Sequence, residues 1–269
     1  YNTPNAASPL FRTRAHTLGD IISGAPVYVG KPPFTYTDAG YATFVASKAS
    51  RTPVVYVGAN DGMLHAFSAA TGEELWAYVP TAVMPNMYKL ANNNYATGHQ
   101  SFVDAEPVVG DIYVGGAWKT ILVGGLGSGG KAFYALDITD PAAPQTLWEF
   151  TDANLGLSFG NPVIAKRADG TWIVAFASGY NNTGGDGRGH LYVLNANTGA
   201  TLLNLATSAG SAGSPSGLTK INAWVEVATN NTAKRFYGGD LFGNLWRFDI
   251  DNLVAPNQAA HLVAQFQTS

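Results

Sequence analysis

Apolar residues in this chain fall into short runs separated by glycine-rich turns. Val54 to Phe67 reads VVYVGANDGMLHAF, an apolar run, the turn Asn60-Asp61-Gly62, then a second apolar run. Asp-Gly between β-rich runs signals a hairpin, because the turn needs backbone angles that Asp tolerates and Gly adopts freely. The same form recurs in TILVGGLGSGGKAFYALD (Thr120 to Asp137), IVAFASGYNNTGGDGRGHLYVLN (Ile173 to Asn195) and KRFYGGDLFGNLWRFD (Lys234 to Asp249). Four hairpins of one design predict a repeat architecture.

The copies align in columns. The first strands end in small pairs, Gly58-Ala59, Gly124-Gly125, Ser178-Gly179 and Gly238-Gly239, which allow neighbouring backbones to approach closely. The second strands carry an apolar residue at Leu64, Phe133, Leu191 and Leu245, followed by His65, Tyr134, Tyr192 or Trp246. A polar residue follows three positions later at Ser68, Asp137, Asn195 or Asp249. The spacing exceeds the ~40–50 residues usual for a propeller blade, and loop insertions account for the excess.

Further apolar runs flank each hairpin. They predict an all-β fold, a β-propeller of four-stranded antiparallel blades over about residues 20–80, 104–151, 158–207 and 214–268. Pro26, Pro107 and Pro162 open the first strands of three blades, where a missing N–H costs little, and blade four has Trp224 in roughly that place. Two stretches break the β pattern. Asp38 to Arg51 reads as a short surface helix capped by Asp38 and stopped by Pro53, with Tyr41, Phe44, Val45 and Lys48 at helical spacing; Thr81 to Val103 reads as a short helix near Pro85 to Leu90 followed by a polar loop. Four blades either close a compact ring or form an arc of a larger one, and we read an arc.

Composition supports this reading. The chain has 269 residues, 31 of them Gly and 14 Pro, and only 12% charged, which suits short strands and tight turns. A net charge of −3 gives no basic footprint for nucleic acid. With no cysteine there is no disulfide framework, thiolate metal site or cysteine nucleophile. No apolar run is long enough to span a bilayer. The start at Tyr1 carries neither an initiator Met nor a leader pattern, so the chain reads as an excerpt of a longer protein.

Candidate chemistry is sparse. Of five histidines (His16, His65, His99, His190, His261), none stands near another in sequence as metal ligands do, and the His65 column reads as packing. GLGSGGK (Gly125 to Lys131) joins two strands rather than a strand to a helix, unlike a phosphate-cradling loop. The hairpin loop NNTGGDGRGH (Asn181 to His190) could offer Ca²⁺ the oxygens of Asn181, Asn182 and Asp186. AFSAATGEELW (Ala66 to Trp76) resembles the Thr-Gly…Trp pattern that closes quinoprotein-type blades, echoed around Trp148 and at VLNANTGATLL (Val193 to Leu203). That resemblance raises a quinone-dependent dehydrogenase as an alternative, which would usually need a vicinal disulfide this chain cannot form.

Several blocks together resemble one family: LGDIISGAPVYVG (Leu18 to Gly30), RTPVVYVGANDGMLHAF (Arg51 to Phe67), the span from Val103 to Pro141, and YGGDLFGNLWRFDI (Tyr237 to Ile250). In order and spacing they are similar to the carboxy-terminal propeller of the type IV pilus tip proteins, the PilY and PilC adhesins. The resemblance implies a non-enzymatic, secreted factor at the pilus tip or bacterial outer surface. Such a factor works with minor pilins in pilus assembly and retraction control, and serves attachment to host or abiotic surfaces and twitching motility. A propeller-type outer-membrane assembly scaffold is the other non-enzymatic alternative. The resemblance also implies a Ca²⁺ loop in the last blade. Anchored on Tyr237 to Asp240, its ligand places fall on Glu226, Ala228, Asn230 and Lys234. Ala offers no oxygen and Lys opposes a dication, so the expectation is that this loop does not bind Ca²⁺ tightly and that no cofactor is required.

Overall fold

The computed structural model describes residues 11–14, 16–251 and 258–266. Sixteen strands among them form four four-stranded antiparallel sheets, each in chain order. Blade one comprises β1 (Val27–Val29), β2 (Val54–Ala59), β3 (Met63–Ser68) and β4 (Glu74–Tyr78), and blade two comprises β5 (Val108–Val114), β6 (Ala117–Gly125), β7 (Phe133–Asp137) and β8 (Gln145–Phe150). Blade three comprises β9 (Val163–Lys166), β10 (Trp172–Ala177), β11 (Arg188–Asn195) and β12 (Thr201–Gly210). Blade four comprises β13 (Ile221–Val225), β14 (Ala233–Gly239), β15 (Asn244–Asp249) and β16 (Ala260–Gln265). First strands of successive blades are neighbours, which places β1, β5, β9 and β13 on the axial side of the array. Residues 1–10, and residues 267–268 at the end of the predicted fourth blade, lie outside the described residues.

Alternation along each strand builds the seams between blades. In β6, Leu122 joins a buried cluster with Val54, Tyr56, Leu64 and Ala66 of blade one, while Ile121 and Val123 point the other way, into a cluster with Val174, Phe176, Tyr192 and Leu194 of blade three. In β10, Ile173, Ala175 and Ala177 face Phe236, Trp246 and Phe248 of blade four. A strand covered on both faces reads as a continuous apolar run, which is why TILVGG and IVAFA lack polar alternation. Phe133 and Phe176 stack across the second seam at 4.0 Å between ring centroids; burying an aromatic of this size contributes about 1.5–3 kcal/mol.

Turn chemistry follows the sequence columns. Pro26, Pro107 and Pro162 each stand immediately before the first strand of a blade, whereas Trp224 lies inside β13. The polar column closes the third turn: Ser68 Oγ accepts from Thr71 N (3.2 Å), Asp137 Oδ1 from Thr139 N (3.0 Å) and Asn195 Oδ1 from Asn197 N (3.0 Å). Asp249 differs, with its buried carboxylate ion-paired to Arg235, Arg247 and His261 at 3.3, 3.1 and 3.5 Å. The closing-strand tryptophans tie one blade to the next. Trp76 Nε1 donates to Pro141 O at 2.8 Å and Trp148 Nε1 to Ala196 O at 2.9 Å.

Three expectations change. The ladder does not keep the second-strand column level: His65 pairs with Val57, Tyr134 with Gly124, Tyr192 with Phe176 and Trp246 with Gly238. Residue counts between turns vary, and pairing follows side-chain fit, as where Gly124 leaves room for the Tyr134 ring. The inserted helix α1 (Tyr41–Ser47) lies at the surface with Ala42, Thr43, Ala46 and Ser47 exposed, but its inner face is buried and its cap is not the expected one. Tyr41 and Phe44 are buried among Tyr36, Trp118 and Trp172, and Tyr41 Oη donates to Asp111 Oδ2 at 2.7 Å. Its N-cap is Gly40 at φ 77°, and Asp38 instead pairs with Lys166. Seven residues cannot sustain a helix alone, so packing determines it. The second insertion forms 3₁₀ turns over Thr81–Ala91 and Tyr95–Thr97, where Pro85 removes one helix donor.

The Trp148 tie gives a stability prediction. Gly199 adopts φ 71°, and a Cβ there would lie 2.6 Å from the Trp148 ring. Trp148→Ala should lower unfolding free energy by about 3–5 kcal/mol and Gly199→Ala by about 1–3 kcal/mol, read from urea-unfolding midpoints.

Candidate functional site

Antiparallel connectivity places the turns of these blades at two ends of the array, and the sequence-predicted sites divide between them. At one end lies the connection between β10 and β11. Asn181 has a left-handed backbone (φ 59°), and its carbonyl accepts from Lys131 Nζ at 2.9 Å. Asn182 is fully buried and donates Nδ2 to Asn154 O (3.1 Å) and Arg188 O (2.8 Å). Asp186 Oδ1 accepts from Arg188 N (2.9 Å) and lies 3.0 Å from His190 Nε2. Desolvation raises the Asp186 pKa, but the His190 and Arg188 hydrogen bonds outweigh it, and the net shift is downward. Asn182 and Asp186 thus face different partners and organise the loop itself.

The same end holds a buried polar junction at the opening hairpin. Asn60 Nδ2 donates to Asp20 Oδ2 (2.8 Å), and Asn60 Oδ1 accepts from Phe102 N (2.9 Å). Asp61 Oδ2 accepts from Gly19 N at 2.7 Å. Asp104 accepts from Ser23 N and from the hydroxyls of Ser23 and Ser128 at 3.1, 3.0 and 2.6 Å. His65 stands between Asp61 (3.1 Å) and Glu74 (2.7 Å), so it is a buried ionic link and not the apolar packing residue its column suggested. The signal for this was local: Asp61 and His65 lie four apart across a tight turn, as do Asp186 and His190.

At the opposite end, the loop between β13 and β14 carries Glu226, Ala228 and Asn230, and Lys234 stands near the start of β14. Lys234 Nζ lies 3.2 Å from Glu226 Oε2, and Asn230 Oδ1 accepts from Thr232 N at 3.0 Å. Ala228 faces an apolar groove shared with Phe34, Tyr36 and Val225. The Lys234 ammonium group is paired to Glu226, and Ala228 offers no side-chain oxygen, so these four residues do not fit a Ca²⁺ site. Among the described residues, no group of three or more His, Asp or Glu side chains is arranged to hold a metal. Sequence reasoning missed Tyr36, Thr37 and Lys166, which pack around this loop from blades one and three.

Sequential four-stranded antiparallel blades, with tryptophan ties between them and connecting loops at their two ends, define a β-propeller protein. The sequence profile of the PilY1 beta-propeller domain matches residues 18–262, and the chain belongs to that family. It is 44% identical over 259 residues to a type IV pilus biogenesis factor PilY1 homolog of Xylella fastidiosa (strain Temecula1), covering 91% of this chain and 20% of the relative. Against type IV pilus biogenesis factor PilY1 of Pseudomonas aeruginosa (strain PAO1), identity is 42% over 254 residues, covering 89% of this chain and 21% of the relative. The crystal structure of the Pseudomonas aeruginosa PilY1 C-terminal domain superposes with a TM-score of 0.70 at 38% identity, covering 82% of this chain and 45% of that one. The chain thus spans about a fifth of the curated relatives it matches.

The His65 link gives a pH prediction. Burial pulls the imidazole pKa down, but hydrogen bonds and charge from Asp61 and Glu74 outweigh it and hold it above its ordinary value, while the Asp61 carboxyl sits below its own. A raised histidine contributes stability that is fully present below its unfolded value of ~6.5 and is lost as pH rises through the folded value. The lowered Asp61 contributes above ~3.9 and is lost as pH falls. Melting temperature should therefore decline on raising pH from mildly acidic to mildly alkaline, and His65→Gln should flatten that decline; differential scanning calorimetry across the range checks it.

Proposed function

We propose that this chain is the propeller of a pilus-associated tip adhesin and assembly factor. It supports pilus biogenesis by working with minor pilins, opposes retraction, and contributes to surface attachment and twitching motility. The observation that carries the reading is the family match across residues 18–262, together with relatives whose names give type IV pilus biogenesis. The role is mechanical and non-enzymatic: three apolar seams make a stiff array whose end loops, including residues 92–100 and 181–190, present polar and aromatic contacts. The site of action is extracellular, at the pilus tip or outer surface. No helix among the described residues is long and apolar enough to cross a membrane.

Deletion of the encoding gene tests this. Shear-released surface pili should fall severely and twitching zones should shrink, with both restored by the intact gene. Normal piliation with depleted outer-membrane proteins would instead favour an outer-membrane assembly scaffold.

A further inference from the structure

The loop of residues 226–232 is held from three directions. From inside, Lys234 meets Glu226 at 3.2 Å, and Asn230 N and Asn231 N both donate to Val227 O at 3.1 Å. From blade three, Lys166 N donates to Asn231 O at 2.8 Å, Lys166 pairs with Thr232 in an isolated parallel bridge, and Asn231 Nδ2 donates to Ile164 O at 3.1 Å. From blade one, Thr37 N donates to Thr229 O at 2.8 Å and Asn231 Nδ2 lies 3.3 Å from Tyr36 Oη. Tyr36 and Thr37 belong to the strap that follows β1 and leads into α1. The Tyr36 ring is anchored by Phe34, Tyr41, Trp118 and Trp172 at centroid distances of 4.9 to 5.9 Å. Asp38, at the end of the strap, is paired to Lys166. Residues of blades one and four almost two hundred positions apart in sequence therefore meet over the axial strands.

We propose that this loop is a metal-independent latch: the Lys234 ammonium on Glu226 stands where a divalent cation would, and the Tyr36–Asp38 strap holds the loop's main chain, tying blade four to blade one. Three of the loop's carbonyls, those of Val227, Thr229 and Asn231, and the Asn230 carboxamide oxygen already accept protein N–H groups. A cation entering here would have to break those bonds and displace an ammonium. The Lys234–Glu226 pair is partly exposed, so solvent screens it and it contributes little. The two side-chain hydrogen bonds from half-buried Asn231, one to Ile164 O of blade three and one to Tyr36 Oη of the strap, contribute more. Asn231 is thus the stronger part of the latch. Asn231 adopts φ 52°, a conformation Asn tolerates better than most residues.

Hydrogen-exchange mass spectrometry on the purified chain tests the latch. Amides of residues 225–232 should exchange equally in millimolar calcium and in excess chelator. Lys234→Ala should speed their exchange about two- to fivefold. Asn231→Gly, which keeps the backbone angle and removes both side-chain bonds, should speed it about tenfold. Tyr36→Phe, which keeps the ring stack, should speed it by less than Asn231→Gly. Calcium-dependent protection of these amides in the unmodified chain would overturn the proposal, and so would exchange unchanged in both Asn231→Gly and Tyr36→Phe.

Discussion

Burial of each interior sheet on both faces is the constraint on which the structure depends. A four-stranded sheet standing alone would expose Leu122 on one side and Ile121 and Val123 on the other. Blades two and three escape this by lying between neighbours, so aliphatic and aromatic side chains form three buried clusters, one at each seam. Shape then matters as much as hydrophobicity. Glycines near the ends of β2 and β6 admit the linker into the next blade: a Cβ on Gly58 would lie 2.6 Å from Val103 O, and one on Gly125 2.9 Å from Ser158 O.

Apolar seams push ionic groups to the turns and to the outward faces of the terminal blades. His65 has the opposite parity in β3 to Leu64 and Ala66, which face blade two. In β15, Arg247 and Asp249 likewise have the opposite parity to Trp246 and Phe248, which face blade three. Each charged cluster is built around a buried carboxylate, Asp61 in one case and Asp249 in the other. A carboxylate removed from water needs partners that offset its desolvation, and Arg235, Arg247 and the His261 ring around Asp249 and a histidine on Asp61 supply them. The insertions obey the same logic. α1 and its strap are stable because their aromatic residues complete a cluster shared by blades one, two and three.

Much of this was legible in residue order. Asn60-Asp61-Gly62, the three prolines and the polar column at Ser68, Asp137 and Asn195 are local signals whose physics acts within a few residues, and the observed turns follow them. The candidate loops were also legible as loops. What their side chains do was not, because Asn182 and Asp186 are engaged by Asn154, Arg188 and His190, and loop length alone does not reveal such partners. The column containing His65 misled for a related reason: Tyr134, Tyr192 and Trp246 pack against the preceding blade, whereas His65 stands on the outward face of blade one and meets Asp61 and Glu74 instead.

The chain's own order of apolar runs, glycines and prolines determined the hairpins, the strand count of each blade and the repeat, since turn angles and strand alternation are short-range properties. It also showed that Ala228 and Lys234 are poor calcium ligands, because an oxygen is either present or absent. Only the tertiary structure decided what the inner face of α1 would pack against, and that Tyr36 and Thr37 would reach the loop at residues 226–232. Those outcomes depend on which segments meet after the blades pack, and residues so far apart in sequence carry no local mark of their partners.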